Sequence, residues 1–433
     1  MIRYRALGDA GEMGASAHLV TVDGAALVLD AGLHPRHRRL PDYGPAQAAS
    51  PLAIVLSHAH MDHVGSLPVA RRLLPRARIY CTQTTRSLAR VALRHHVERD
   101  RGYAATTGLL YSRDEVESLT FEDVAYETPH ALADGLTHLT LFDAGHLPGS
   151  AGLLIERQGR RLFYTGDTHL VDRAYQLGAR LPEAPVDVLM LESTQGANAA
   201  LDGVEQGDLV STLIEEIDKC LKIGGRVLLP IFAFGRAQEI QTLLARATLS
   251  GALPVVPVFV SGLPAHVSRI CDGHASRIRR VLPHVRFDAM STQSFEDGQG
   301  HAPPPGPCIL LAGSGMLSDG SLSARLARSL EGDPKNSIIF VGYVDPDTPG
   351  HALKAGDREV AARLVSIPFS AHARRADLVE IVRRLRPRHV VLVHGDETAR
   401  LALGSLIGAV MPEVKIHRPA PAQTLSIALS AGP

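Results

Sequence analysis

Short apolar runs alternate with Gly- and Asp-rich turns through the first part of the chain. Residues 25–29 lead to Asp30-Ala31-Gly32, 52–56 to Ser57-His58, and 139–142 to Asp143-Ala144-Gly145-His146. Residues 162–164 lead to Thr165-Gly166-Asp167, and 188–191 to Glu192. These aliphatic and β-branched runs have strand length. A buried strand carries His or Asp at high cost, so each run delivers its polar residues to the loop at its end. Helical periodicity intervenes at 67–74, directly after a histidine cluster, and at 87–99. From Gly207 the texture changes: a helix is predicted over 208–221, a strand over 226–230 and a helix over 237–249. Strands follow at 255–260 and 308–312, the second leading to a glycine turn and a helix, which together predict a separate α/β unit. The last stretch returns to the first style, with 362–367 leading to Ser370-Ala371-His372 and 389–393 to His394-Gly395-Asp396. The predicted organisation is a polar-tipped domain, 1–196 and 345–433, interrupted by an inserted one, 197–344. There is no internal repeat, and the proline run Pro303-Pro304-Pro305 is predicted to be a loop.

Composition narrows this picture. A chain of 433 residues exceeds one ordinary core, and 45% hydrophobic with 21% charged residues is globular composition. Lys+Arg and Asp+Glu are both 45, which counts against nucleic-acid binding through a broad basic field. Basic residues cluster locally at Arg36, Arg38 and Arg39, at Arg71 and Arg72, at Arg374 and Arg375, and from Arg383 to Arg388; solvated helix faces are the ordinary reading of such clusters. Cys81, Cys220, Cys271 and Cys308 form no C-x-x-C pair, which excludes a thiolate zinc site and suits a reducing interior. Residues 1–5 lack the apolar core of a signal peptide, and the uncharged stretch between Arg246 and Arg269 is broken by Pro254, Pro257 and Pro264. The expectation is a soluble cytoplasmic protein without a membrane span. Aromatic residues make up 4% and tryptophan is absent, so recognition of a nucleic acid by its backbone is expected over base stacking.

The candidate chemistry sits at the strand ends. Within six residues, His58-Ala59-His60-Met61-Asp62-His63 offers three imidazoles and a carboxylate directly after a predicted strand. Zinc takes such ligands in threes or fours at about 2.0–2.2 Å. His58 and His60 can reach one side of an extended turn, while Asp62 and His63 fall at the start of the helix that follows. One loop thereby offers ligands to two ions, as two-metal phosphoesterases require. His146, Asp167 and His394 stand at other strand ends and are candidates as a set; the Asp167 carboxylate is suited to bridging two metals.

Taken in order, Asp30, His58-x-His60-x-Asp62-His63, His146 and Asp167 resemble the motifs of the metallo-β-lactamase fold. Glu192, His372 and His394 resemble the three further motifs of its β-CASP branch, which includes RNA-processing nucleases. The stretches 230–239 and 312–317 are similar to parts of that branch's inserted domain. The resemblance covers nearly the whole chain. It implies an α/β fold, an αββα sandwich with an inserted β-CASP cap, and an active site in the cleft between them. It further implies two zinc ions, with manganese able to take similar places. His58, His60 and His146 would hold one ion, Asp62, His63 and His394 the other, with Asp167 bridging and Asp30 orienting the ligand loop from behind. Histidine at position 394 is the form found in RNA-acting members. Two places depart from the family pattern: Ser318-Asp319-Gly320-Ser321 stands where relatives carry an arginine, and Arg374 stands where an aspartate is common.

Two zinc ions lower the pKa of a shared water from about 15.7 toward 7, so the expected nucleophile is hydroxide, with Asp62 among the catalytic residues. His372, oriented by Glu192, is the candidate proton donor to the leaving oxygen. Ser314 and Ser370 are candidate donors to substrate phosphates. The leading expectation is a zinc-dependent ribonuclease, endo- or exonucleolytic, acting on single-stranded RNA, with a homodimer as the candidate assembly. The alternatives are a metallohydrolase of DNA or of a small ester, and a non-catalytic subunit of a processing complex.

Overall fold

The computed structural model describes residues 1–8, 11, 14–100, 108–290, 292–293, 305–357 and 359–429; Pro303 and Pro304 of the predicted proline loop lie outside them. The chain divides into two compact units. The first comprises Met1–Val171, Gly178–Asp202 and His372–Pro433, and the second Asp172–Leu177 with Gly203–Ala371.

Two seven-stranded sheets build the first unit. One runs in the order Thr424–Ile427, Ile2–Ala6, His18–Val22, Ala25–Leu29, Ala53–Val55, Arg78–Cys81 and Phe121–Asp123. The other runs Lys415–His417, His389–Val393, Val188–Glu192, Arg160–Tyr164, Ala151–Arg157, Thr137–Asp143 and His130–Ala131. Alternation along each strand sorts side chains between two faces. Leu27, Leu29 and Val55 of the first sheet meet Leu162, Tyr164 and Met190 of the second in one shared core. Phe163, Leu189 and Leu191 point the other way, onto Leu378 and Ile381 of helix Arg375–Leu385 and Leu403 of helix Glu397–Val410. On the first sheet Val28, Ile54 and Ile79 face away from the shared core yet are buried, as beneath a covering helix layer. The result is an αββα sandwich.

Direction decides where its loops go. Ala25–Leu29, Ala53–Val55 and Arg78–Cys81 run parallel, as do Arg160–Tyr164, Val188–Glu192 and His389–Val393. Thr137–Asp143, two antiparallel steps from Arg160–Tyr164, runs with it. Parallel strands must all return by crossovers, so within each sheet their carboxyl-end loops gather along one edge.

The second unit is a six-stranded, wholly parallel sheet ordered Thr292–Gln293, Val258–Val260, Ile309–Ala312, Val227–Pro230, Ser337–Val341, Arg363–Ile367. Helices Gln206–Lys222 and Arg236–Leu249 cover one face and Leu322–Leu330 the other. Both faces are buried, which is why its strands read as unbroken apolar runs.

Several expectations shift. Arg363–Ile367 pairs along its whole length with Ser337–Val341, so the second unit extends to Ala371, beyond the expected boundary at 344. Apolar periodicity marks a strand but not the sheet it joins. The excursion Asp172–Leu177 also belongs here: Gln176 bridges to Arg280, and Ala174 enters the core. Asp62 and His63 lie in their own short helix, Met61–Val64, separate from Leu67–Leu73. Gly65 ends that turn, where an added Cβ would stand 2.4 Å from the Met61 carbonyl. Among the described residues no helix is long and apolar enough to cross a membrane.

Candidate metal centre

The edge of the first unit collects the candidate residues, and local backbone aims them. His60 is extended (φ −68°, ψ 149°) and caps the turn Met61–Val64, so the chain reverses between His60 and the Asp62–His63 pair. Asp30 and His394 both hold the left-handed region, at φ 61° and 50°. That conformation is uncommon outside glycine and turns each side chain sharply off its strand. Gly166 (φ 54°) is forced by closeness as well, since a Cβ there would lie 2.7 Å from the Ser57 Cβ.

Two donor sets result. His58 Nε2 is 3.1 Å from His60 Nδ1, and His60 Nδ1 is 3.2 Å from His146 Nε2. Asp167 Oδ2 stands 3.6 Å from His58 Nε2 and 3.7 Å from His146 Nε2. In the second set His63 Nε2 is 3.2 Å from His394 Nε2, and Asp62 Oδ2 is 3.4 Å from His394 Nε2 and 3.9 Å from His63 Nε2. The same Asp167 Oδ2 lies 3.4 Å from His63 Nε2. Ligands about 2.05 Å from one tetrahedral ion stand about 3.3 Å apart, so these separations suit coordination. Facing ring nitrogens cannot all hydrogen-bond one another, because each neutral imidazole has a single N–H. Asp167 Oδ1 is buried and accepts no hydrogen bond among the described residues, although His394 Nδ1 is 3.2 Å away. Unsatisfied buried oxygen and converging lone pairs both fit metal ions.

Behind the donors stands a layer of hydrogen bonds. Asp30 Oδ2 accepts from the Ser57 hydroxyl at 2.8 Å and the Tyr164 hydroxyl at 2.9 Å, with His63 Nδ1 also at 2.9 Å. The Ser57 amide donates to Asp30 Oδ1 at 2.7 Å. Facing a carboxylate, His63 Nδ1 carries the proton and Nε2 is left for an ion. The Ser57 hydroxyl is also 3.0 Å from His58 Nδ1, and that of Thr194 is 3.1 Å from His394 Nδ1. Ser57, Tyr164 and Thr194 escaped the sequence reading; their adjacency to motif residues is the signal that was there.

Glu192 is fully buried and His372 partly exposed, with His372 Nδ1 2.9 Å from Glu192 Oε2. The Thr168 amide donates to Glu192 Oε1 at 2.7 Å and fixes the carboxylate. His372 lies with its ring centroid 4.7 Å from that of His146, at the lip of the donor sets.

The charges sort themselves. Burial, reinforced by His63, holds His58 well below the ordinary imidazole value, and burial brings His60 down to about 4. Burial opposes a charge on His63 too, but Asp167, Asp30 and Asp62 outweigh it and hold His63 well above the ordinary value. His394, raised chiefly by Asp167 against burial, reaches about 9. Asp167 and Asp62 are held low, against burial, by the surrounding imidazoles. His372 is raised, against burial, by Glu192 and then Asp167.

Ser314 and Ser370 belong to the second unit. The Ser314 hydroxyl donates to Ser318 Oγ and accepts the Ser318 amide, both at 2.9 Å, so its own turn engages it. Ser370 is half-buried.

Comparison with known proteins agrees with this architecture. Residues 10–253 match the metallo-beta-lactamase superfamily, 237–353 the Beta-Casp domain, and 357–417 the Zn-dependent metallo-hydrolase RNA specificity domain. Ribonuclease TTHA0252 of Thermus thermophilus is 30% identical, over 96% of this chain and 98% of its own. An RNase J-like protein of Methanocaldococcus jannaschii is 27% identical over 94% and 96%. Cleavage and polyadenylation specificity factor 73 of Drosophila melanogaster is 29% identical over 93% of this chain, which spans 61% of that protein. A crystal structure of a protein of unknown function from Enterococcus faecalis V583 shares the fold, with a TM-score of 0.59 at 14% identity over 98% of this chain and 99% of that one. With the superfamily match alone spanning more than half its length, the chain belongs to the metallo-β-lactamase superfamily and carries the β-CASP domain that defines one of its branches.

Proposed function

We propose that the protein is a zinc-dependent ribonuclease hydrolysing phosphodiester bonds of single-stranded RNA. The observation that carries this reading is Asp167 Oδ2, a single carboxylate oxygen within 3.7 Å of histidine nitrogens from both donor sets. Support for RNA as substrate comes from the match to an RNA specificity domain and from relatives named as ribonucleases. His58, His60 and His146 would hold one ion, Asp62, His63 and His394 the other, and Asp167 both. When bound, two zinc ions supply Lewis acidity toward a phosphoryl oxygen and acidify water at neutral pH.

The remaining work falls to the chain's own groups. Asp30 orients His63 and keeps its proton on Nδ1. Thr194 does the same for His394. The Glu192 carboxylate holds His372 through Nδ1, which leaves the Nε2 proton to be given to the leaving oxygen. Glu192 and then Asp167 raise the pKa of His372 against burial, which favours the protonated imidazole that such a donor needs.

Purified protein supplied with zinc or manganese is expected to cleave end-labelled single-stranded RNA, and the product ladder separates endo- from exonucleolytic cutting. RNA left intact while DNA or a phosphate ester is hydrolysed would sink the substrate assignment.

A further inference from the structure

The two donor sets draw on both layers of the sandwich. His58, His60, Asp62 and His63 follow strand Ala53–Val55 of the first sheet. His146, Asp167 and His394 follow strands of the second. Holding ions with donors from both sheets would therefore require the sheets to keep one separation at this edge, within about 0.5 Å. Apolar packing between sheets is non-directional, and it does not fix such a spacing by itself.

A directional link exists. Tyr164 lies three residues before Asp167 on the second sheet, is fully buried, and donates its hydroxyl across the sandwich to Asp30 Oδ2 at 2.9 Å. Asp30 directly follows strand Ala25–Leu29 of the first sheet, and its Oδ2 also meets His63 Nδ1 at 2.9 Å. His63 Nε2 returns to Asp167 Oδ2 at 3.4 Å. The circuit from Tyr164 through Asp30 and His63 to Asp167 closes on itself through Thr165 and Gly166. The phenol is held in turn by His18, whose ring stands 5.3 Å from it at 72°. His18 is buried, with its nitrogens 3.1 Å from the Tyr4 hydroxyl and from Ser16 Oγ.

We infer that Tyr164 is a positioning residue that sets the spacing between the ligands contributed by the two sheets, with His18 fixing the plane of its ring. Neither residue is among the donors. The inference rests on the metal centre proposed above and is independent of whether the substrate is RNA.

Tyr164→Phe removes the hydroxyl and keeps the ring. Zinc affinity, read by competition with a chromogenic chelator, should fall about 10–100-fold, the usual cost of losing a partner behind a metal ligand. The visible absorption of the cobalt-loaded protein should shift, because the ligand geometry changes, while the metal-free protein keeps its circular dichroism. His18→Asn, which loosens the ring and leaves the hydroxyl, should cost a few-fold in affinity and carries the test if Tyr164→Phe fails to accumulate. Unchanged zinc affinity and cobalt spectrum in folded Tyr164→Phe, or in His18→Asn where only that variant accumulates, overturn the inference alone. A parent protein that binds no zinc overturns the metal centre and this inference together.

Discussion

Both units align parallel strands and gather loops at their carboxyl ends, yet they bury charge in opposite ways. In the first unit Asp30, His58, His63, His146, Asp167, Glu192 and His394 are nearly or wholly buried and converge on one another. In the second, the corresponding loops carry glycines such as Gly235, Gly262 and Gly342, and the buried Arg173, Arg236 and Glu239 are paired with one another within the scaffold. Arg236 Nη1 meets Glu239 Oε2 at 2.5 Å, and Arg173 Nη1 meets the same oxygen at 3.4 Å. Burial of charge alone does not mark a site. Donors that converge without complementary hydrogens do, because an ion is what completes them.

The comparison breaks most visibly at Asp167. Asp167→Ala should reduce RNA cleavage to background and bound zinc to below one equivalent, measured by metal analysis alongside a cleavage assay. Full zinc content in that variant would mean the two donor sets act separately. His372→Ala is next: kcat should fall about 10²–10⁴-fold, the range for a lost general acid, with zinc content unchanged. Loss of zinc instead would move His372 into the ligand set.

The second unit should respond in stability, not chemistry. Glu239→Ala removes the carboxylate that the buried Arg173 and Arg236 share, and a destabilisation of about 3–5 kcal/mol is expected from denaturant unfolding, with no change in zinc content. A fall in zinc content would contradict the division drawn between the units. The smallest effect belongs to Glu216, whose carboxyl is held below its ordinary value of 4.5 by Arg363 first and Lys219 after. A lowered carboxylate pKa stabilises the fold above the ordinary value and loses that contribution as pH falls through the lowered one. Because both cationic partners are largely exposed, the gain is about 0.5 kcal/mol, and Glu216→Gln should narrow toward the parent in melting temperature as pH drops below 4.5. A gap that widens toward acid would reverse the sign of this pairing.

The residues themselves determined a good deal. The runs ending at Asp30, Ser57, Asp167 and Glu192 declared strands with polar tips, and the spacing of His58, His60, Asp62 and His63 declared a dense set of metal-type donors. Those signals are local: a strand's alternation and a ligand loop's spacing are set by neighbours in the chain. What stayed hidden depends on distance in space. Tyr164 is one more position in the apolar run 162–164, and only the fold carries its hydroxyl from one sheet to the other and brings Thr194 and Ser57 against imidazoles. The strand Arg363–Ile367 carried no label for the sheet it joins, and residues 172–177 none for the unit they enter.

Sequence alone thus determined which residues could bind, since donor chemistry and strand periodicity are written residue by residue. Only the tertiary structure decided how they combine: one Asp167 oxygen between two histidine sets, one Asp30 oxygen receiving groups from both sheets. Those pairings bring together side chains far apart in the chain, and only the register and packing of the two sheets select them.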